Sequence, residues 1–168
     1  EDGGLVYTTG AETGGEQRAL VWVDRQGREE YVPAEPRAYL YPRISPDGAR
    51  VALDIRDEDN DIWVFDVLRE ALTRLTFDPA GDTYPVWAPD GGRVLFSSAR
   101  EETIQVFSKA SDGTGSVERL TDHPGGATPF AVSPDGQQLV MGVPSEPAVS
   151  DLVRVPLGTS GDVESLLE

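Results

Sequence analysis

Cysteine is absent from the 168 residues and histidine occurs once, so disulfides, thiolate metal sites, cysteine nucleophiles and histidine-rich metal centres are excluded at the outset. The missing cysteine leaves the compartment open, because exported proteins also do without it. Positive charge is scarce: 14 Lys plus Arg stand against 30 Asp plus Glu, for a formal charge of −16, and Lys109 is the single lysine. That balance repels phosphate backbones, and with no basic stripe interleaved with aromatics, nucleic acid is excluded as a partner. Anionic membrane surfaces are disfavoured for the same reason. No apolar run approaches the roughly 18 residues that cross a bilayer, so membrane insertion is not expected. The first residues, Glu1-Asp2-Gly3-Gly4, lack the basic and apolar regions of a signal peptide. What the chain does have is 18 Gly and 13 Pro beside 38% hydrophobic residues, a composition of many short elements and turns around a buried core.

A repeat organises those elements. Tyr41-Pro-Arg-Ile-Ser-Pro-Asp-Gly-Ala-Arg-Val-Ala-Leu53, Tyr84-Pro-Val-Trp-Ala-Pro-Asp-Gly-Gly-Arg-Val-Leu-Phe96 and Pro129-Phe-Ala-Val-Ser-Pro-Asp-Gly-Gln-Gln-Leu-Val-Met141 align without gaps, and their anchors Asp47, Asp90 and Asp135 lie 43 and 45 residues apart. A second block reads Ile62-Trp-Val-Phe65, Ile104-Gln-Val-Phe107 and Leu152-Val-Arg-Val155, with an earlier copy at Leu20-Val-Trp-Val23. A third reads Thr73-Arg-Leu-Thr76 and Glu118-Arg-Leu-Thr121, and more weakly Glu30-Tyr-Val32 and Glu164-Ser-Leu-Leu167. Each unit thus holds four apolar runs, a to d, rich in β-branched and aromatic residues and separated by turn signals. Pro-Asp-Gly between a and b combines a fixed φ, an Asp side chain that bonds the backbone two residues on, and a Gly that accepts positive φ. It predicts a hairpin, and each unit becomes a four-stranded antiparallel meander. A helix over Asp66 to Leu75 competes locally, but the equivalent segment Ser108 to Arg119 contains Asp112-Gly113 and Gly115, which break helices. The repeat outweighs that window.

Four-stranded units with a period of 40–50 residues indicate an all-β chain built as β-propeller blades. The Tyr-Pro…Ser/Ala-Pro-Asp-Gly…Arg-Val block, Asp61-Ile-Trp-Val-Phe-Asp66 and Thr73-Arg-Leu-Thr76 together resemble the WD40-like repeat of bacterial TolB-type propellers. The divisions are an incomplete first blade over 1–40 (strands b, c and d), then blades over 41–83, 84–128 and 129–168, about four blades in all. The resembling propellers close with more blades than this. The resemblance therefore implies an open array, and a homodimer closing an eight-bladed ring is the expected self-association. It also implies a bacterial periplasmic protein or the extracytoplasmic part of a larger one.

Candidate chemistry is sparse. Asp57-Glu-Asp-Asn-Asp61 superficially resembles the start of a calcium loop, but Ile62 stands at the sixth position, where Gly is required, and Leu68 at the twelfth, where Glu is required. It reads as a solvated b–c turn, and neither a metal nor another cofactor is expected. His123, in Asp122-His-Pro-Gly-Gly126, has no G-x-S-x-G elbow to serve and reads as a loop residue at the channel mouth. The three repeated Pro-Asp-Gly aspartates read as structural, and Trp22, Trp63 and Trp87 as filling between blades. In a propeller the d–a and b–c loops share one face, which by the alignment gathers Tyr39, Tyr41, Arg43, Asp57, Asp59, Asp78, Asp82, Tyr84, Arg100, Glu101 and His123. Tyr and Arg set among carboxylates suit a protein or peptide with a basic surface, bound in a salt-sensitive way. The expected function is a non-enzymatic scaffold for protein or peptide binding. The alternative is an enzyme-associated propeller, either the filter domain of a peptidase or a calcium-dependent hydrolytic propeller.

Overall fold

The computed structural model describes residues 5–9, 17–146, 149–157 and 164–166. They form four antiparallel sheets, each a simple meander. The first contains β1 (Leu5–Thr9), β2 (Ala19–Val23) and β3 (Glu29–Tyr31), and the second β4 (Tyr39–Ile44), β5 (Arg50–Arg56), β6 (Asn60–Asp66) and β7 (Ala71–Arg74). The third contains β8 (Asp82–Trp87), β9 (Arg93–Ser98), β10 (Gln105–Ala110) and β11 (Glu118–Arg119). The fourth contains β12 (Thr128–Val132), β13 (Gln138–Glu146), β14 (Val149–Pro156) and β15 (Glu164–Ser165). No helix occurs among the described residues. Over Asp66 to Leu75 the chain turns instead: the Asp66 carboxylate accepts the Arg69 N–H at 2.8 Å and Glu70 adopts φ 53°, after which β7 pairs back on β6.

The Pro-Asp-Gly turns behave as their chemistry predicts. Asp47, Asp90 and Asp135 each accept the N–H two residues on, at 3.0, 2.8 and 3.0 Å, and Gly48, Gly91 and Gly136 take φ of 72°, 66° and 72°. Ser45 and Ser133 also donate to their aspartates at 2.5 Å. These bonds hold the Asp47 and Asp135 carboxyls below the ordinary carboxylate range, the serine hydroxyl contributing most.

Period-two alternation then divides each central strand between two cores. On β5, Val51, Leu53 and Ile55 pack with Leu20, Val32, Tyr39 and Phe65 between the first and second sheets. Ala52 points the other way and joins Ile62, Val64, Leu75, Trp87, Val94, Phe96 and Phe107 between the second and third. Leu95, the neighbour of Val94 and Phe96 on β9, turns to the core between the third and fourth sheets with Val86, Val106, Leu139, Met141 and Val153. The Trp87 indole N–H reaches back across a junction to the Arg43 carbonyl at 2.8 Å.

The sequence alignment of the second block needs one correction. Ser97 lies opposite Val106 as Asp54 lies opposite Ile62, so the counterpart of Ile62 in the third sheet is Val106, not Ile104. A hydrogen-bond clamp confirms the shift: the Thr76 hydroxyl accepts the Ile62 N–H and donates to Asp61, while the Thr121 hydroxyl accepts the Val106 N–H and donates to Gln105. A slip of two preserves pleat parity, so the inward-facing assignments are unchanged by it.

Candidate functional site

Strands β4, β8 and β12 each carry a bulge, between Leu40 and Arg43, Thr83 and Val86, and Pro129 and Ala131. A bulge bends the strand and re-aims its side chains. In the first two the bulged residues include a tyrosine at positive φ, 47° at Tyr41 and 56° at Tyr84. For a bulky side chain that conformation costs about 1–2 kcal/mol. The strain brings the two rings together, with centroids 4.6 Å apart and tilted by 49°. The Arg56 guanidinium lies 5.7 Å from both rings. Asp54 holds it from beneath by two bonds, Nε to Oδ1 at 3.1 Å and Nη2 to Oδ2 at 2.8 Å, and also accepts the Tyr84 N–H at 3.4 Å. Burial pushes the Asp54 carboxyl above its ordinary range, with Arg56 opposing, and Asp54 in turn raises the affinity of Arg56 for its proton. Hydrogen bonding to Tyr84 and burial raise the Tyr41 phenol.

Alongside this pair, ion pairs tie loops to the last strands of the sheets and to the connections between sheets. Asp57 accepts Arg37 Nε at 2.6 Å and the Ala38 N–H at 3.0 Å. Arg100 grips the fully buried Asp82 with two contacts of 2.9 Å, lies 3.8 Å from Asp78, and rests over Phe107. Arg119 meets Glu101 at 2.6 Å, and Arg74 meets Asp59 at 3.1 Å and the buried Asp61. Exposed members of this set add little to stability, whereas Asp61 and Asp82, buried, depend on their arginines. Burial raises the Asp61 carboxyl, with Thr76 and Arg74 opposing.

The residues expected on the loop face therefore divide into four groups. Tyr41 and Tyr84 meet each other, while Asp57, Asp59, Asp78, Arg100 and Glu101 are tied into ion pairs. Tyr39 and Asp82 are buried beneath the surface; the Tyr39 hydroxyl donates to the Glu35 carbonyl at 2.6 Å, and burial raises its phenol. Arg43 is exposed on β4, and the His123 ring stays in its own turn, where Nδ1 accepts the Gly125 N–H at 3.2 Å. In the acidic turn, the Asp57, Asp59 and Asp61 carboxylates are engaged by Arg37 and Arg74.

Two cavities open on this framework. One of about 350 Å³ is bounded by Arg37, Asp57, Asp59, Trp63 and Arg74, with Arg37 stacked over Trp63 at 4.3 Å. The other, about 300 Å³, lies between the third and fourth sheets, with Tyr84 and Ile104 on one side and Phe130, Gly142 and Pro144 on the other. Phe130 covers Gly142 so closely that a Cβ there would fall 2.7 Å from the ring. Sequence reasoning missed Asp54, Arg56, Ile104, Phe130 and Gly142. The repeat register offered a signal for some of them: Arg56 stands nine residues after its turn aspartate, where Ala99 stands in the next unit.

Solved structures with the same fold include TolB from Acinetobacter baumannii (TM-score 0.80, 23% identity, covering 98% of this chain and 43% of that one). A putative TolB from Agrobacterium tumefaciens matches with TM-score 0.79 and 26% identity over 98% of this chain and 61% of that one. Among curated relatives, an uncharacterised peptidase of Bacillus subtilis is 30% identical over 110 residues, 61% of this chain and 17% of its own length. An uncharacterised protein of Agrobacterium fabrum is 36% identical over 97 residues, 57% of this chain and 33% of its own length. The chain thus spans a sixth to a third of the curated relatives it matches. The model of the TolB beta propeller domain matches residues 12–160, nearly the whole sequence, and the chain belongs to that family.

Proposed function

We propose that the chain is a non-catalytic propeller module that offers the face around Tyr41 and Tyr84 to a protein or peptide with a basic surface. The strained tyrosine pair carries this reading. Two non-glycine residues held at positive φ in successive repeats bring two aromatic rings together, with Arg56 against them. Tyrosine and arginine are the residue types that dominate binding energy at protein interfaces, and strained backbone concentrates where recognition occurs. Association between copies of the chain, closing a ring, is part of the same proposal. Its test is the mass in solution by light scattering at low and high salt, and a monomer at both would remove it.

The binding reading is tested by titrating a lysine- and arginine-rich peptide while following the tyrosine resonances. Affinity should fall by at least tenfold on Tyr84→Ala and weaken steeply between about 0.05 and 0.3 M salt. Binding indifferent to both changes would sink it. A second reading, a propeller serving an attached hydrolase, is favoured by the similarity to the Bacillus subtilis peptidase. Peptide hydrolysis by the longer protein, altered by changes on the Tyr41 and Tyr84 face, would favour that alternative.

A further inference from the structure

We propose that the cleft between the third and fourth sheets is a seat for an arginine side chain of a partner, its guanidinium entering between Tyr84 and Phe130. This rests on the reading of the face as a site for a basic partner and names the group recognised.

The template is the neighbouring junction. Between the second and third sheets the chain uses its own arginine: Arg56 lies against Tyr41 and Tyr84, held by Asp54, while Arg100 holds Asp82 beside it. In the repeat register, the positions of Asp54, Arg56, Asp82 and Arg100 are occupied one repeat later by Ser97, Ala99, Ala127 and Ser145. Four charged side chains are thus replaced by small neutral ones, and the cavity of about 300 Å³ lies at this junction.

A second difference lies at the same junction, on β9. The Ser97 hydroxyl is buried and has no hydrogen-bond partner. Its counterpart Asp54 receives Arg56 and the Tyr84 N–H, but in the next repeat the arginine is an alanine and Pro129, which has no N–H, stands where Tyr84 stood. The junction therefore lacks both the arginines and the carboxylates of its template. Its aromatic walls are kept: Tyr84 lines one side, and Phe130, 48% exposed and seated on Gly142, lines the other. A planar guanidinium stacks on aromatic faces, and it does so better than an ammonium ion. The opening to solvent leaves part of the cation hydrated, and a formal charge of −16 draws cationic segments toward the face.

The test uses blocked pentapeptides of the form Gly-Gly-X-Gly-Gly, with X arginine, its neutral isostere citrulline, or leucine, followed by NMR. The arginine peptide should move the Tyr84 and Phe130 ring resonances and bind at least fivefold more tightly than the other two. Ala99→Arg, at an exposed position, restores the chain's own arginine and should weaken the arginine peptide at least tenfold. Phe130→Ala should weaken it similarly and provides an independent check. Equal binding of arginine and citrulline peptides, or binding unchanged by Ala99→Arg, would overturn the seat. If the arginine peptide instead moves only Tyr41 and the acidic loops, the seat is lost while the basic-partner reading stands. If no resonance on the face responds to it or to longer basic peptides, both are lost.

Discussion

The junction between the second and third sheets and the one between the third and fourth are built on the same strand register with opposite contents. The earlier is filled by charge: Asp54 with Arg56, and Asp82 with Arg100, under a closed tyrosine pair. The later has serine and alanine at those places, an orphaned hydroxyl at Ser97 and a cavity between Tyr84 and Phe130. The apolar cores below are alike in kind, both formed by alternate residues of neighbouring strands. The repeat therefore sets the scaffold through its apolar positions and leaves the upper layer free to be a sealed seam in one place and an opening in another.

Making one junction resemble the other tests this difference. The largest effect is expected for Asp82→Ala, which leaves the Arg100 guanidinium without its buried partner. We expect a loss of about 3 kcal/mol in urea unfolding at unchanged slope. Asp82→Ala combined with Arg100→Ser, which copies the later junction, should recover at least half of that. Next, Gly142→Ala should cost about 1–2 kcal/mol by driving a methyl group into the Phe130 ring, and the same variant should shift the ring resonances of Phe130.

Acid titration should separate the junction from the turns. The raised Asp54 carboxyl means that the folded protein holds this proton more tightly than the unfolded chain, so its contribution to stability falls as pH rises from about 3.8 through the folded value. Asp47 and Asp135 have the opposite sign: lowered in the fold, they stabilise above the unfolded value of about 3.8 and lose that contribution as pH falls through the folded one. Melting curves from pH 2 to 6 should therefore show Asp135→Asn converging with the parent in acid, and Asp54→Ser gaining on the parent as pH rises through the Asp54 transition. Smallest of all, Ser97→Ala should be neutral or stabilise by up to about 0.5 kcal/mol, because the hydroxyl it removes has no partner to lose.

Local chemistry made much of this fold legible in the sequence. Pro-Asp-Gly carries its own turn, so the hairpins and the meander order could be read from three residues at a time, and strand parity followed from alternation. The two-residue slip at Ile104 has the same origin: a pattern of period two looks alike when moved by two, and the strand ladder and the Thr121 clamp on Gln105 and Val106 distinguish the registers. For the candidate site the sequence supplied the two tyrosines that come together. It could not supply the pairing of Arg37 with Asp57 or Arg100 with Asp82, because those depend on the register of the bulged β4–β5 and β8–β9 pairs. Phe130 was hidden by its shift of one place relative to the tyrosines, a change that matters only once the bulge is built.

Among the described residues, every strand ladder joins strands that are consecutive in the chain. Each hairpin can therefore close while the next is still emerging from the ribosome, and contact formation proceeds without waiting for distant segments. Mechanically, the same connectivity makes the chain a series of separable catches. Pulled from its two ends, it should lengthen in successive steps of roughly 150 Å, the extended length of one repeat of about 43 residues, and the step that breaks the charged seam should require the greatest force.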